Sequence, residues 1–308
     1  MQQTYTAAFA TKTMRNRQEQ AKVYVSFMMS YKGDYLNPTV TELLLFIQLL
    51  ANSYKSPQTV ANTLSGAKNY VLEAGGNTQA FTNRLIRNLL NGVKKGSTHK
   101  VTQAPALSIT FIRKMYDTLV TLSPFGQVVG TILLFAFATF LRQSNVVFTP
   151  DAFNHMLCKR HVTFSTNHMW VTVPTTKTLS TGQGVVLPVK KNSQSKYCPV
   201  MAYIALQSIS PGPPSAPLFT LPGTTTPVSA AECNLLLQAV AAALGHPLAN
   251  RVSIHSMRRS ASQLCAQHGV SEVDIQQHGT WASSAIYTYV PKVTFTKVPA
   301  TIAAILHK

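Results

Sequence analysis

From residue 13 to residue 95, apolar side chains recur three and four positions apart, the period of helices with one buried stripe. Val23, Phe27 and Met28 make the first stripe. Asn37 and Pro38 precede a second helix over residues 39–50, where Thr39 and Glu42 have capping-box spacing. Ser56-Pro57 opens a third, with Val60, Leu64, Ala67 and Val71 on one side. A fourth is predicted over 82–93, with the apolar set Leu85, Ile86, Leu89, Leu90 and Val93. Its other face carries Arg84, Arg87, Asn88, Asn91 and Lys95, all donors, with no acid interleaved for i,i+4 pairing. Such a face points to phosphate contact rather than to a merely solvated surface.

The helical period is lost over 96–106, GSTHKVTQAPA, which predicts a linker. The domains expected are therefore 1–95 and 107–308. The second opens with helices near 108–121 and 125–141, the latter apolar on all sides. Alternating or β-branched runs at 161–165, 169–173 and 184–189 predict strands. Residues 199–208 read as a helix and the proline-rich 210–217 as a loop. Helices return at 229–244 and 255–268. The class is mainly α with a small β-sheet.

Charge sharpens the picture. Of 308 residues, 45% are hydrophobic, enough for a core, but 27 Lys and Arg face only 9 Asp and Glu, a net charge of +18. That surplus implies a polyanionic partner. It argues against a disordered chain, a disulfide scaffold and a near-neutral metabolic enzyme. So few carboxylates also argue against magnesium chemistry of the acid-rich kind. Cys158, Cys198, Cys233 and Cys265 lie more than thirty residues apart, with no CxxC pair. His155, Cys158 and His161 form an H-x-x-C-x-x-H run that lacks a fourth ligand and is read as coincidence. The N-terminal stretch has no apolar core of a secretory signal. The longest apolar run, 128–141, is short of the ~20 residues that span a bilayer. No membrane partner is expected, and a cytosolic or nuclear location is.

No P-loop, GxGxxG, HExxH or GxSxG motif is present. What remains is scattered. Arg142 sits in LRQSN after the apolar helix, and Lys177 in the polar turn TTKTLSTGQG. His255 and Arg258 share a face at i and i+3, and Trp281, Tyr287 and Tyr289 follow in HGTWASSAIYTYV. Each alone has a structural explanation: a helix cap, hairpin decoration, a core ring. Together they suit one substrate. Two arginines, a lysine and a histidine can donate to phosphate oxygens, and a tyrosine can attack phosphorus.

These pieces, in this order, resemble the tyrosine recombinase (phage integrase) family. The matches are LRQSNVV, TKTLST, HSMRRS and HGVSEVDIQQHGTW. The ending W-x-S-x-A-x-x-x-Y-V is most similar to recombinases of eukaryotic mobile elements, the Crypton, DIRS-like and Ngaro groups. The resemblance covers residues 107–290 well, and 13–95 only as a helical domain. It implies a helical core-binding (SAM-like) domain, then a catalytic domain with a small antiparallel sheet. The implied activity is site-specific recombination or integration for a mobile element, in the host nucleus. DNA would be cut and rejoined without metal or cofactor, by dimers or tetramers on double-stranded DNA.

Carried over, Tyr289 attacks the scissile phosphate and becomes a 3′-phosphotyrosine. Arg142 and Arg258 clamp the non-bridging oxygens, Lys177 protonates the leaving 5′-oxygen, and His255 assists proton transfer. Trp281 packs and donates through its indole N–H. Arg84, Arg87, Lys94 and Lys95 hold the duplex. The C-terminal stretch 298–306 reads as an apolar helix that docks on its own domain or on a neighbouring protomer. Two departures stand out. Asn145 lies where the family often has an acid. The tyrosine register also has two readings: nine residues from His278 gives Tyr287, whereas eight from Trp281 gives Tyr289. The stretch before Trp281 favours the second. Competing activities are topoisomerase IB-like relaxation with the same residues, and a domesticated DNA-binding protein that no longer cuts. RNA binding has no aromatic RNP motif behind it.

Overall fold

The computed structural model describes residues 11–99, 103–174, 184–281 and 284–290. The chain divides into two compact units, residues 1–102 and 103–308. The Lys177 turn and the 298–306 stretch lie outside the described residues.

The first unit holds α1 (Thr11–Tyr31), α2 (Val40–Ser53), α3 (Pro57–Glu73) and α4 (Arg84–Gly96). The α2 start follows the capping-box logic: Thr39 Oγ1 accepts the Glu42 N–H at 3.2 Å, and Glu42 accepts the Thr39 N–H at 2.6 Å. α3 begins with Pro57 in its first turn, where a missing N–H removes nothing from the helix. α1 packs along α3, and the approach needs Gly66, because a Cβ there would run into Gln20. The core joins Met28, Leu43, Phe46, Ile47, Leu50, Val60, Leu64, Ala67, Val71 and Ile86. It also holds Tyr24, fully buried against Phe46, with its hydroxyl donating to the Tyr35 carbonyl at 3.1 Å. One expectation is corrected. The sequence pattern puts Leu85 in the apolar set of the fourth helix, yet it is 56% exposed. Ile86, Leu89, Leu90 and Val93 already fill the inward stripe, and Leu85 lies beside it.

The second unit is built on α6 (Pro124–Thr139), whose residues Val128 to Thr139 are all buried. Such a helix is central because it has no polar face to show water. α5 (Ile109–Leu122), α8 (Pro199–Leu206) and α10 (Ile254–Gln267) pack on it. α7 (Gln143–Val146) is a single turn, α9 is Ala230–Ala243, and α11 is Glu272–His278. β1 (Val162–Phe164), β2 (His168–Val173) and β3 (Val185–Lys190) form an antiparallel sheet in the order 1-2-3. Val171 pairs with Val162 on one side and Leu187 on the other. Met169, Val171, Val173, Leu187 and Val189 alternate into the core.

Among the described residues no helix is long and apolar enough to cross a membrane. All four cysteines are free thiols. His161 Nδ1 accepts the Cys158 N–H at 2.9 Å, and among the described residues no group of three His, Cys, Asp or Glu could hold a metal.

Candidate phosphodiester site

The site grows out of the way α6 ends. Phe140 is buried and left-handed, with φ 53°. An ordinary residue adopts that conformation only when its surroundings over-determine it. Here they do: the His278 ring meets Phe140 edge-on at 5.0 Å, and Trp281 lies 6.3 Å away. The turn sends the Phe140 carbonyl to Arg258, which donates to it through Nη1. The chain then runs extended at Arg142, the residue that caps α7.

Arg258 is 1% exposed. Besides the Phe140 carbonyl, it reaches the Gly279 carbonyl through Nη2 at 2.6 Å. Its guanidinium carbon lies 4.1 Å from the Trp281 ring centroid and 5.5 Å from that of Tyr289. A Cβ at Gly279 would collide with the Trp281 ring, so that glycine is required. Burial, with Arg142 adding to it, brings the Arg258 pKa down to about 10, and Tyr289 opposes the shift. Arg142 is half-buried, and burial lowers its pKa, again against Tyr289. Among the described residues neither arginine has a carboxylate partner. Arg142 Nη1 and Arg258 Nε are buried with no hydrogen-bond partner.

The two tyrosines have different surroundings. The Tyr289 ring lies 5.3 Å from His255 and 5.1 Å from Trp281. Its carbonyl accepts from Gln263 Nε2 at 2.8 Å, and its neighbour Val290 and the nearby Ile286 are buried. Tyr287 is 38% exposed and donates its hydroxyl to Glu272 at 2.7 Å, which raises its pKa. Arg142, His255, Arg258, Trp281 and Tyr289 thus come together, while Tyr287 lies outside the group.

The buried side-chain amide of Asn145 donates to the His155 carbonyl at 2.9 Å, and the Asn145 backbone carbonyl accepts the Leu157 N–H at 2.9 Å. A carboxylate could not make the first bond. Arg84, Arg87, Lys94 and Lys95 belong to α4 of the other unit and are all exposed. Among the described residues none of the four is in an ion pair.

His255 is held below the ordinary histidine range by burial, then by Arg258, Arg259 and Arg142. His278 is lowered by burial and Arg258, although its Nε2 bonds the Ala138 carbonyl at 2.8 Å. Burial and Arg160 lower His161 as well. With these depressed values the unfolded chain binds more protons than the folded one. The stability involved is fully present above the ordinary 6.5 and is lost as pH falls toward the folded values. Thermal unfolding followed from about pH 7 to about pH 5 is expected to show a falling Tm. His278→Asn is expected to flatten that slope.

No protein-family model matches the chain, and neither does any curated protein. Solved structures do. An integrase of the Tn1549 transposon, in complex with transposon right end DNA, superimposes with a TM-score of 0.66. It is 12% identical, over 96% of this chain and 93% of that one. A lambda integrase dimer bound to a COC′ core site is 14% identical over 92% and 93%, with a TM-score of 0.56. The XerH site-specific recombinase bound to palindromic difH substrate is 12% identical over 82% and 68%, with a TM-score of 0.58.

Proposed function

We propose that this chain, whose fold is that of the tyrosine recombinases, is a DNA strand transferase that performs site-specific recombination. One observation carries the reading: a buried arginine, Arg258, and a half-buried one, Arg142, beside a tyrosine, without a counter-ion among the described residues. Buried cations require an anion or lose their charge, and guanidinium does not readily lose its charge. Arg258 donates two of its five N–H groups to carbonyls and keeps others for a ligand. A phosphodiester anion meets that demand.

The chemistry follows from charge and position. The Tyr289 oxygen attacks phosphorus, its proton passing to a neighbouring base, and the bond from phosphorus to the 5′-oxygen breaks. Arg142 and Arg258 hold the non-bridging oxygens and oppose the charge that builds on them. Lys177 gives its proton to the departing 5′-oxygen. His255, held neutral by its surroundings, hydrogen-bonds and passes protons, and Trp281 walls the site. Reversal by a new 5′-hydroxyl rejoins DNA, so the cycle needs no external energy source, and the arginines supply the charge that a metal would otherwise bring. The helical unit holds the duplex through Arg84, Arg87, Lys94 and Lys95. A mobile element of the Crypton, DIRS-like or Ngaro kind, acting in the nucleus as a dimer or tetramer on its DNA, is the setting we assign.

The test is covalent capture. A nicked duplex from the element's own termini or circle junction should become attached to the chain through a 3′-phosphotyrosine. Binding without any adduct would instead mark a non-cutting DNA-binding protein. Relaxation of supercoils without exchange between two sites would mark a topoisomerase.

Duplex affinity should fall steeply between low and moderate salt, because phosphate contacts release counter-ions. Replacing Arg84, Arg87, Lys94 and Lys95 by alanine should reduce the slope of log affinity against log salt by about 1 for each phosphate that these side chains neutralise. An unchanged slope removes α4 from the interface.

A further inference from the structure

α9 is fastened to the segment that leaves α7. The Phe148 N–H donates to the Val228 carbonyl at 2.8 Å, and the Ala230 N–H to the Phe148 carbonyl at 2.9 Å. One turn into α9, the half-buried amide of Asn234 uses both of its ends. Its Nδ2 donates to Gln143 Oε1 at 3.0 Å, and its Oδ1 accepts the Ile254 N–H at 3.1 Å. Gln143 directly follows Arg142, and Ile254 directly precedes His255. A turn further along the same face, Gln238 Nε2 donates to the Val252 carbonyl at 3.2 Å.

The Ile254 N–H is one of the first donors of α10, which the helix cannot satisfy from within. Asn234 supplies the missing acceptor from a neighbouring helix. The same side chain then grips the residue after Arg142. It spans the two sequence segments, more than a hundred residues apart, that carry the arginines.

Resting on the function proposed above, we infer that Asn234 is a positioning residue. It holds the Arg142 turn and the start of the helix of His255 and Arg258 at a fixed separation, so that both face one phosphate. Packing alone does not explain the choice of side chain. Asn234 meets an acceptor and a donor at once, which an apolar residue of equal size cannot do. An aspartate could still do so, because the Gln143 amide can rotate and offer its Nε2 instead.

The experiment follows adduct formation by the full-length chain on a nicked duplex in single turnover. Asn234→Leu should slow it about tenfold or more, with duplex affinity changed by less than about twofold, because small misplacements cost chemistry rather than binding. Asn234→Asp should stay within about threefold of the unchanged chain. A rate for Asn234→Leu within about twofold of the unchanged chain overturns the inference, as does an Asn234→Asp variant as slow as Asn234→Leu. Adding Gln143→Leu to Asn234→Leu should slow the reaction no further, and multiplicative slowing also overturns it. Should Asn234→Leu not fold, Gln143→Leu alone carries the test, with an expected slowing of about threefold. If the unchanged chain forms no adduct, the proposed function fails, and titration of the His255 ring followed by NMR still decides the positioning role. Its pKa should rise toward the ordinary value in Asn234→Leu as the loosened helix start admits water. No movement overturns the inference.

Discussion

Tyr289→Phe is expected to abolish the covalent protein–DNA adduct, whereas Tyr287→Phe forms it normally. The effect on Tyr289 should exceed about 10³-fold, since no other group replaces a missing nucleophile. The assignment rests on neighbours. Tyr289 lies within ring contact of His255 and Trp281, and Arg258 sits over its face. Its backbone is tied to α10 through Gln263, on the same helix as His255 and Arg258. Tyr287 is exposed, and its hydroxyl is engaged by Glu272. A carboxylate hydrogen bond raises the Tyr287 pKa, the wrong direction for a nucleophile. Removing that hydroxyl takes away the hydrogen bond to Glu272. Capture on a nicked duplex, with the adduct resolved by denaturing electrophoresis, measures both variants. An adduct in Tyr289→Phe that is lost in Tyr287→Phe would reverse the register.

The sequence narrows that choice without making it, because both counts are spacings, and the surroundings of each ring appear only in the fold. Other features are legible for clear reasons. The Thr39 and Glu42 cap is local, so three residues of spacing suffice to see it. The α6 helix is apolar on every side, and only a central position satisfies that. The strands of the sheet alternate, and their inward positions follow. The pieces left hidden depend on partners far along the chain. Nothing near Phe140 announces a left-handed turn, because its causes are His278 and Trp281. Tyr24 is buried with a hydroxyl that needs a partner, and that partner, the Tyr35 carbonyl, is supplied by the turn after α1. Judged by position, Asn145 looks like a lost acid. In the fold its amide donates to the carbonyl of His155, a partner ten residues along that the position alone does not announce.

Arg258→Met is expected to remove adduct formation while leaving the fold largely intact, and Arg258→Ala to damage both. Two opposing effects set the stability change. Lowering the Arg258 pKa from 12.5 to about 10 corresponds to roughly 3 kcal/mol against the charged form, from burial first and then from Arg142, net of the help from Tyr289. Removing the charge recovers that penalty. Against it stand two lost hydrogen bonds, to the Phe140 and Gly279 carbonyls, at about 1.5–3 kcal/mol each for a charged donor. Methionine fills the space under Trp281 and keeps the packing, so the balance should be a loss of about 0–3 kcal/mol. Alanine adds a cavity beneath the Trp281 ring and should cost about 2–5 kcal/mol more. Arg258→Lys keeps a charge but not the fork, so it cannot reach both carbonyls and still serve a phosphate. It should retain at most about a hundredth of the cleavage rate. Denaturant unfolding and single-turnover cleavage, run on the same three variants, separate the two roles. If Arg258→Met unfolded as readily as Arg258→Ala, the arginine would be chiefly a structural tie between the Phe140 turn and Gly279. If it kept its fold and still cut DNA, the anion site would lie elsewhere.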